Sequence, residues 1–216
     1  TWEINMLGRR VMPIMHEISH LPGGHKPLNF VHKLADGSTR HVQTYAGPIE
    51  IYGDKLMLCI VHDITEQKRL EEQLEHAAHH DAMTGLLNRR QFYHITEPGQ
   101  MQHLAIAQDY SLLLIDTDRF KHINDLYGHS KGDEVLCALA RTLESCARKG
   151  DLVFRWGGEE FVLLLPRTPL DTALSLAETI RVSVAKVSIS GLPRFTVSIG
   201  VAHHEGNESI DELFKR

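Results

Sequence analysis

The chain has 216 residues, 42% of them hydrophobic, with 23 Lys and Arg against 28 Asp and Glu, a formal charge of −5 and a sequence pI near 6.3. That is enough apolar material for one or two globular cores, and it leaves no basic field for duplex DNA, so neither a disordered tail nor a nonspecific DNA binder is expected. No apolar run approaches the roughly 18 residues that span a bilayer and no signal-peptide pattern opens the chain.

Thr1 and Arg216 read as cut ends of a longer protein. Cys59, Cys137 and Cys146 lack metal-ligand spacing, which predicts free thiols in a cytoplasmic protein or in the cytoplasmic part of a larger, membrane-associated one. The 15 histidines are scattered, and the adjacent pairs His79-His80 and His203-His204 point apart on either a helix or a strand, so no histidine metal cluster is expected. Over residues 1–30 the pattern gives one short helix around Val11 to Ser19 and then a Pro- and Gly-rich loop.

From Leu28 the pattern becomes that of strands. Leu28 to Leu34 meets the turn signal Asp36-Gly37, Arg40 to Ala46 returns, and Leu56 to Val61 follows Gly53-Asp54, giving a three-stranded antiparallel sheet. Asp63, Glu66 and Thr65 are cap residues for a charged helix running to about His80, because their side-chain oxygens accept from the open N–H groups of a first turn. Leu70, Leu74 and Ala77 keep the 4-3 spacing of a coiled-coil seam, which reads as a dimerising connector or, with so short a seam, a solvated linker helix. Residues 28–70, with their Asp36-Gly37 turn and Asp63-Ile64-Thr65 exit, resemble the C-terminal half of a PAS sensory domain.

Beyond Asp81 to Phe92, a turn leading into a helix, and an irregular stretch around Pro98-Gly99, Tyr110 to Ile115 is a buried-strand run that stops at Asp116-Thr117-Asp118. Carboxylates just past an apolar strand sit at its exposed edge. A polar segment from Arg119 to His129 precedes Gly132-Asp133, after which Val135, Leu136, Leu139, Leu143 and Cys146 share one helical face. Leu152 to Phe154 and Phe161 to Leu165 then flank Gly157-Gly158-Glu159-Glu160, a β-hairpin with carboxylates at its turn, and Pro166 stops the second strand. Glycines there admit a phosphate close to the backbone, and paired acids suit Mg²⁺; the same residues also fit an ordinary tight turn.

A helix with Leu170, Leu174, Ala177, Ile180 and Val184 on one face and an alternating strand from Phe195 to Val201 complete the order β-α-β-β-α-β. The fold class expected is therefore α+β: a ferredoxin-like βαββαβ palm with helices on one face of an antiparallel sheet, preceded by the PAS-like sheet and a linker helix. The domains read as 1–63 sensory, 64–80 linker and 81–216 catalytic. In that topology Asp116 and Glu159 or Glu160 meet at one sheet edge, the arrangement that Mg²⁺-dependent phosphoryl or nucleotidyl transfer needs. No Walker-type Gly-x-x-x-x-Gly-Lys-Ser/Thr occurs, so a P-loop ATPase is excluded.

Gly157 to Phe161, the Asp116 to His129 segment with Gly132-Asp133, the opening motif Asp81 to Arg90 and the closing Ser198 to Ala202 together resemble the GGDEF family of diguanylate cyclases over residues 81–216. The resemblance implies Asp116 and Glu160 as Mg²⁺ ligands (Mn²⁺ as substitute), with the Thr117 carbonyl a further one, and Glu159 as a residue needed for catalysis that also reaches metal. It implies that GTP lies against Gly157 and Gly158, that Phe120 and Lys121 lie near its phosphates, and that Asn124 and Asp133 read guanine. A carboxylate accepts from guanine N1–H and N2–H₂, which adenine does not offer, so Asp133 favours GTP over ATP.

The implied reaction is attack of one GTP 3′-hydroxyl on the α-phosphate of another, performed twice, giving cyclic di-GMP and two pyrophosphates in a homodimer whose halves face one another. Arg148 and Asp151 match the family's Arg-x-x-Asp product-inhibition site, and a second arginine is expected from the following helix, where Thr179 stands in its place and Arg181 lies two residues on. The family's closing helix, with a lysine and an arginine for the triphosphate, is expected beyond Arg216. Two rival readings are a receptor that binds cyclic di-GMP without turnover and a dimerising scaffold; the intact Gly157 to Phe161, Asp116 and Asn124 speak against both.

Overall fold

The computed structural model describes residues 27–97, 109–204 and 208–214. The expected helix around Val11 to Ser19 lies outside the described residues. The chain divides into two compact units, residues 1–75 and 76–216.

In the first unit β1 (Leu28–Lys33), β2 (Thr39–Ile51) and β3 (Asp54–Asp63) form an antiparallel sheet in the order β1-β2-β3. The Asp36-Gly37 turn is locked by the Asp36 carboxylate, which accepts from the Ser38 N–H (2.8 Å) and hydroxyl (2.6 Å), while Gly37 takes φ 84°. β2 runs five residues past its expected end at Ala46, through Gly47-Pro48, because β1 pairs only as far as Thr44 and a proline beyond that point has a neighbour on one side only. Asp63 Oδ1 accepts from the Thr65 N–H at 2.9 Å where α1 (Thr65–His79) begins. α1 buries none of its residues, and its seam residues Leu70 and Leu74 are 48% and 70% exposed.

The second unit is a five-stranded sheet in the order β4-β6-β7-β5-β8, formed by β4 (Leu87–Asn88), β5 (Tyr110–Thr117), β6 (Leu152–Gly157), β7 (Glu160–Pro166) and β8 (Val197–His203). The helices are α2 (Arg89–Thr96), α3 (Phe120–Tyr127), α4 (His129–Cys146), α5 (Leu170–Val184) and α6 (Ile210–Leu213). From β5 to β8 the expected βαββαβ order holds, and the α+β palm architecture is the observed one.

Three details differ from expectation. β4 is a two-residue parallel partner of β6, too short to carry a strand pattern of its own. The segment around Asn124, read as merely polar, is the short helix α3, and α4 starts at His129, so that Gly132-Asp133 lies inside a helix. Helices cover both faces of the sheet, not one. Leu113, Ile115, Phe161, Leu163 and Leu165 pack with α3, α4 and α5, whereas Tyr110, Leu112, Phe154, Val162 and Leu164 pack with Phe92 and Ile95 of α2 and Leu213 of α6. The alternation explains it: β5 and β7 are buried on both faces, so their even and odd positions each need an apolar cover. Each fully buried Leu or Phe contributes about 1.5–3 kcal/mol on transfer grounds, enough to fix the register on which the site depends.

Within the second unit, which takes in the end of α1 from His76 onward, Asn88 ties three segments. Its Nδ2 donates to the carbonyls of Ala78 (3.0 Å) and His80 (3.2 Å), and its Oδ1 accepts from the Gln91 N–H (2.8 Å) as the N-cap of α2.

Candidate active site

The ladder between β5 and β7 ends with Asp116 opposite Glu160, and the ladder between β5 and β8 sets Asp116 opposite Ser198. Glu160, Asp116 and Ser198 therefore form one rung across three strands. Glu159 sits just outside, in the turn, where its carbonyl accepts weakly from the Thr117 hydroxyl at 3.4 Å. The turn is Gly158-Glu159, with Gly158 at φ 51°, and a register irregularity between Arg155 and Gly157 leaves Gly157 paired with Glu160. Left-handed φ at Gly158 is where glycine is needed, because a β-carbon makes that conformation costly.

Burial, with help from neighbouring charges, raises two of these acids. Burial, then the charges of Asp116 and Glu160, push the Glu159 carboxyl above its ordinary value. Burial and then Asp118 push that of Asp116 up as well. Asp116 and Glu159, half-buried and raised, fit a divalent cation, whose charge would favour their ionised forms. Among the described residues no three His, Cys, Asp or Glu side chains are placed to cage a metal by themselves. The donor set suits Mg²⁺, which takes one or two carboxylates and completes its shell with substrate phosphates and water.

Directly after Asp118 the chain turns through Arg119 in the left-handed region (φ 55°, ψ 32°) into α3, whose N-cap makes no side-chain hydrogen bond. The first-turn N–H groups of α3 are thus uncapped four residues beyond Asp116, a ready anion site. Lys121 is exposed on that turn. Phe120 opens that turn, so its backbone N–H is among these donors, while its ring, 8% exposed, packs in the core with α4.

Asn124 is held against Gly132: an added β-carbon at Gly132 would lie 2.0 Å from Asn124 Oδ1 and 3.1 Å from Phe120 Cζ. That Oδ1 is buried and has no hydrogen-bond partner among the described residues, so it is free to accept from a ligand's N–H. Asp133, the next residue, is exposed and lines a groove of about 410 Å³ with Ser130, Glu134, Cys137, Arg141, Ser188 and Ile189.

Arg148 and Asp151 are brought together, but as a closed pair. Asp151, its side chain 2% exposed, accepts from the Arg148 N–H (2.9 Å) and Nε (3.0 Å), while Arg148 Nη2 donates to the Pro166 carbonyl (2.6 Å) and the Thr168 hydroxyl (2.5 Å). Arg181 is engaged elsewhere, in a two-point bond to Glu178 three residues before it (2.7 and 2.8 Å).

The sequence reading missed the residues that hold the site in place. Arg155 donates to the Gly158 carbonyl (2.8 and 3.2 Å) and to Asp81 Oδ1 (3.0 Å), tying the opening motif to the acid turn. At Asp81 burial raises the carboxyl, and bonds from Thr84 and Arg155 outweigh it, so its net shift is downward. Asp118 takes hydroxyl bonds from Thr196 (2.5 Å) and Ser198 (2.6 Å), and nothing local in the sequence links those positions.

Comparison with known proteins agrees on one family. Residues 78–216 match the family described as diguanylate cyclase, GGDEF domain. The chain is 37% identical over 161 residues to diguanylate cyclase VdcA of Vibrio cholerae, covering 70% of this chain and 46% of that one. Among solved structures it is similar to diguanylate cyclase SiaD of Pseudomonas aeruginosa, determined with its activator SiaC (TM-score 0.60, 38% identity, 70% of this chain and 59% of that one). It is also similar to the coiled coil and GGDEF domain of DgcB from Caulobacter crescentus in complex with c-di-GMP (TM-score 0.62, 29% identity, 70% and 84%). The chain spans about half the length of the curated relatives it matches.

Proposed function

Since the chain belongs to the GGDEF family of diguanylate cyclases, we propose that its second unit condenses two molecules of GTP into cyclic di-GMP and two pyrophosphates. The observation that carries this reading is the rung that pairs Asp116 with Glu160 beside the uncapped start of α3. Asp116, Glu160, the Thr117 carbonyl and Glu159 would hold Mg²⁺, with Mn²⁺ as substitute. When bound, that ion neutralises phosphate charge and favours the 3′-oxygen as nucleophile. The α3 N–H groups and Lys121 bind the triphosphate, and Gly157-Gly158 lets it approach the backbone. Asn124 Oδ1 accepts from a guanine N–H, and Asp133 selects guanine over adenine by accepting from its N1–H and N2–H₂.

One such site holds one GTP, so the reaction needs two copies face to face. The exposed Leu70 and Leu74 of α1, four residues apart on a helix with no buried residue, support α1 as the dimerising connector. Residues 28–63 supply the three strands of a PAS-like sensory module that would act on α1, and Arg148, Asp151 and Arg181 form the product-feedback site. Of the described helices none is long and apolar enough to cross a membrane; we place the reaction in the cytoplasm, where GTP is available.

Incubation of the full-length protein with GTP and Mg²⁺ tests the reading. It predicts cyclic di-GMP and pyrophosphate in a one-to-two ratio. Binding of cyclic di-GMP with no turnover of GTP would instead establish a receptor.

A further inference from the structure

Asp116-Thr117-Asp118 has two aspartates at a sheet edge, and on spacing alone both are candidates to hold the cation. The structure separates them. Asp116 faces Glu160 across the ladder, whereas each oxygen of Asp118 already accepts a short bond from a hydroxyl of the neighbouring segment: Oδ2 from Thr196 Oγ1 at 2.5 Å, Oδ1 from Ser198 Oγ at 2.6 Å. Bonds of that length between a hydroxyl and a carboxylate are the strong, charge-assisted kind. The Asp118 N–H adds a third tie, to the Thr196 carbonyl at 3.0 Å, one step beyond the last Thr117–Val197 rung.

What these ties hold is the turn that follows. Arg119 is a non-glycine residue in the left-handed region, without a capping bond from its own side chain, and such a conformation persists only where its surroundings impose it. The Ile123 N–H reaches back to the Arg119 carbonyl at 3.2 Å, and Gly128 N–H to that of Asn124 at 2.9 Å, so the pitch of α3, and with it Asn124, follows from Arg119.

We propose that Asp118 is a positioning residue and not a metal ligand: by gripping Thr196 and Ser198 it fixes the Arg119 turn, and so orients the Thr117 carbonyl, the open first turn of α3 and Asn124 toward one bound nucleotide. The inference rests on the cyclase reading for the identity of that nucleotide. Thr196 and Ser198 become part of the site at one remove, although neither touches substrate.

The full chain tests this with α,β-methylene GTP, which does not react, in the presence of Mn²⁺. The variants are D118N, D118A and T196V/S198A. Asparagine keeps one acceptor and gains an amide that the rotatable hydroxyls accept from, so it preserves the grip without the charge. D118A and T196V/S198A are each expected to weaken nucleotide binding by about tenfold, D118N by no more than about threefold, and D118A/T196V/S198A no further than D118A alone. In the absence of nucleotide and metal, hydrogen exchange at the Ile123 and Asn124 amides should quicken in D118A and T196V/S198A and stay at the wild-type rate in D118N. D118N losing Mn²⁺-dependent binding as fully as D116N would make Asp118 a ligand and overturn the proposal, as would wild-type exchange and binding in T196V/S198A. If the wild-type chain does not bind the analogue, the cyclase reading fails, and the exchange comparison still decides whether Asp118 holds the turn.

Discussion

Asp116 and Glu160 face one another directly across the last rung of the β5–β7 ladder. Like charges in that relation cost a sheet about 0.2–1 kcal/mol, a local cost that a bound cation would offset. The deep apolar pairing behind it, from Leu112–Leu164 to Ile115–Phe161, is what keeps the two carboxylates in register despite the repulsion.

Stability of the metal-free protein should therefore depend on pH through this site. The folded-state values of Glu159 and Asp116 lie above their ordinary ones, so the folded chain holds these protons more tightly than the unfolded chain. Their contribution is favourable at low pH, declines as pH rises from the ordinary carboxylate range through the raised values, and stays lost at neutrality. In EDTA, E159Q should raise the melting temperature at pH 7 by a few degrees at most and have no effect at pH 4. Parallel pH profiles for wild type and E159Q would contradict the electrostatic description.

Gly132 is fixed by its neighbour and not by its backbone. A methyl group there meets Asn124 Oδ1 at 2.0 Å, and the side chain of Asn124, not the helix, has to give. G132A should leave the melting temperature within a few degrees of wild type while raising the KM for GTP about tenfold or more, because the acceptor proposed to read the base would have left its place. Unchanged KM would remove Asn124 from the guanine site.

Arg155 links the opening motif to the acid turn through Asp81 and the Gly158 carbonyl, with only 12% of its side chain exposed. R155A leaves the partly buried Asp81 carboxylate without its ion pair and frees the turn, for an expected loss of about 1–3 kcal/mol in urea unfolding together with reduced kcat. Retention of full stability would mean that water replaces the guanidinium without cost.

Much of this site was legible in the sequence. The apolar run ending at Asp116 and the Gly157-Gly158 turn between two apolar runs are local patterns, and the βαββαβ order brings their ends together. What was not legible is held by contacts between distant segments. Thr196 and Ser198 on Asp118, Asn124 on Gly132 and Arg155 on Asp81 each join positions with no shared local period. The α3 helix was missed because its eight residues offer barely two turns of pattern, and β4 because two residues offer none.

The Arg148–Asp151 pair predicts a structural cost for changing the proposed feedback site. The Asp151 carboxylate serves the Arg148 backbone and guanidinium in a nearly solvent-free position. D151A should destabilise the fold by about 1 kcal/mol, since it removes the acceptor of the Arg148 N–H while the guanidinium, 55% exposed, keeps water and its other bonds. R148A should abolish inhibition by cyclic di-GMP with wild-type initial rates. Inhibition that survives R148A would place product binding elsewhere.

The central claim is that Asp116 and Glu160 form one catalytic rung, and cyclic di-GMP formation from GTP by wild type, D116N, E160Q and D116N/E160Q measures it most directly. The account predicts that either single change lowers turnover by at least about a hundredfold and that the double change adds little, because the two carboxylates act as a unit. Either single variant turning over at the wild-type rate, or losses that simply multiply in the double variant, would contradict it.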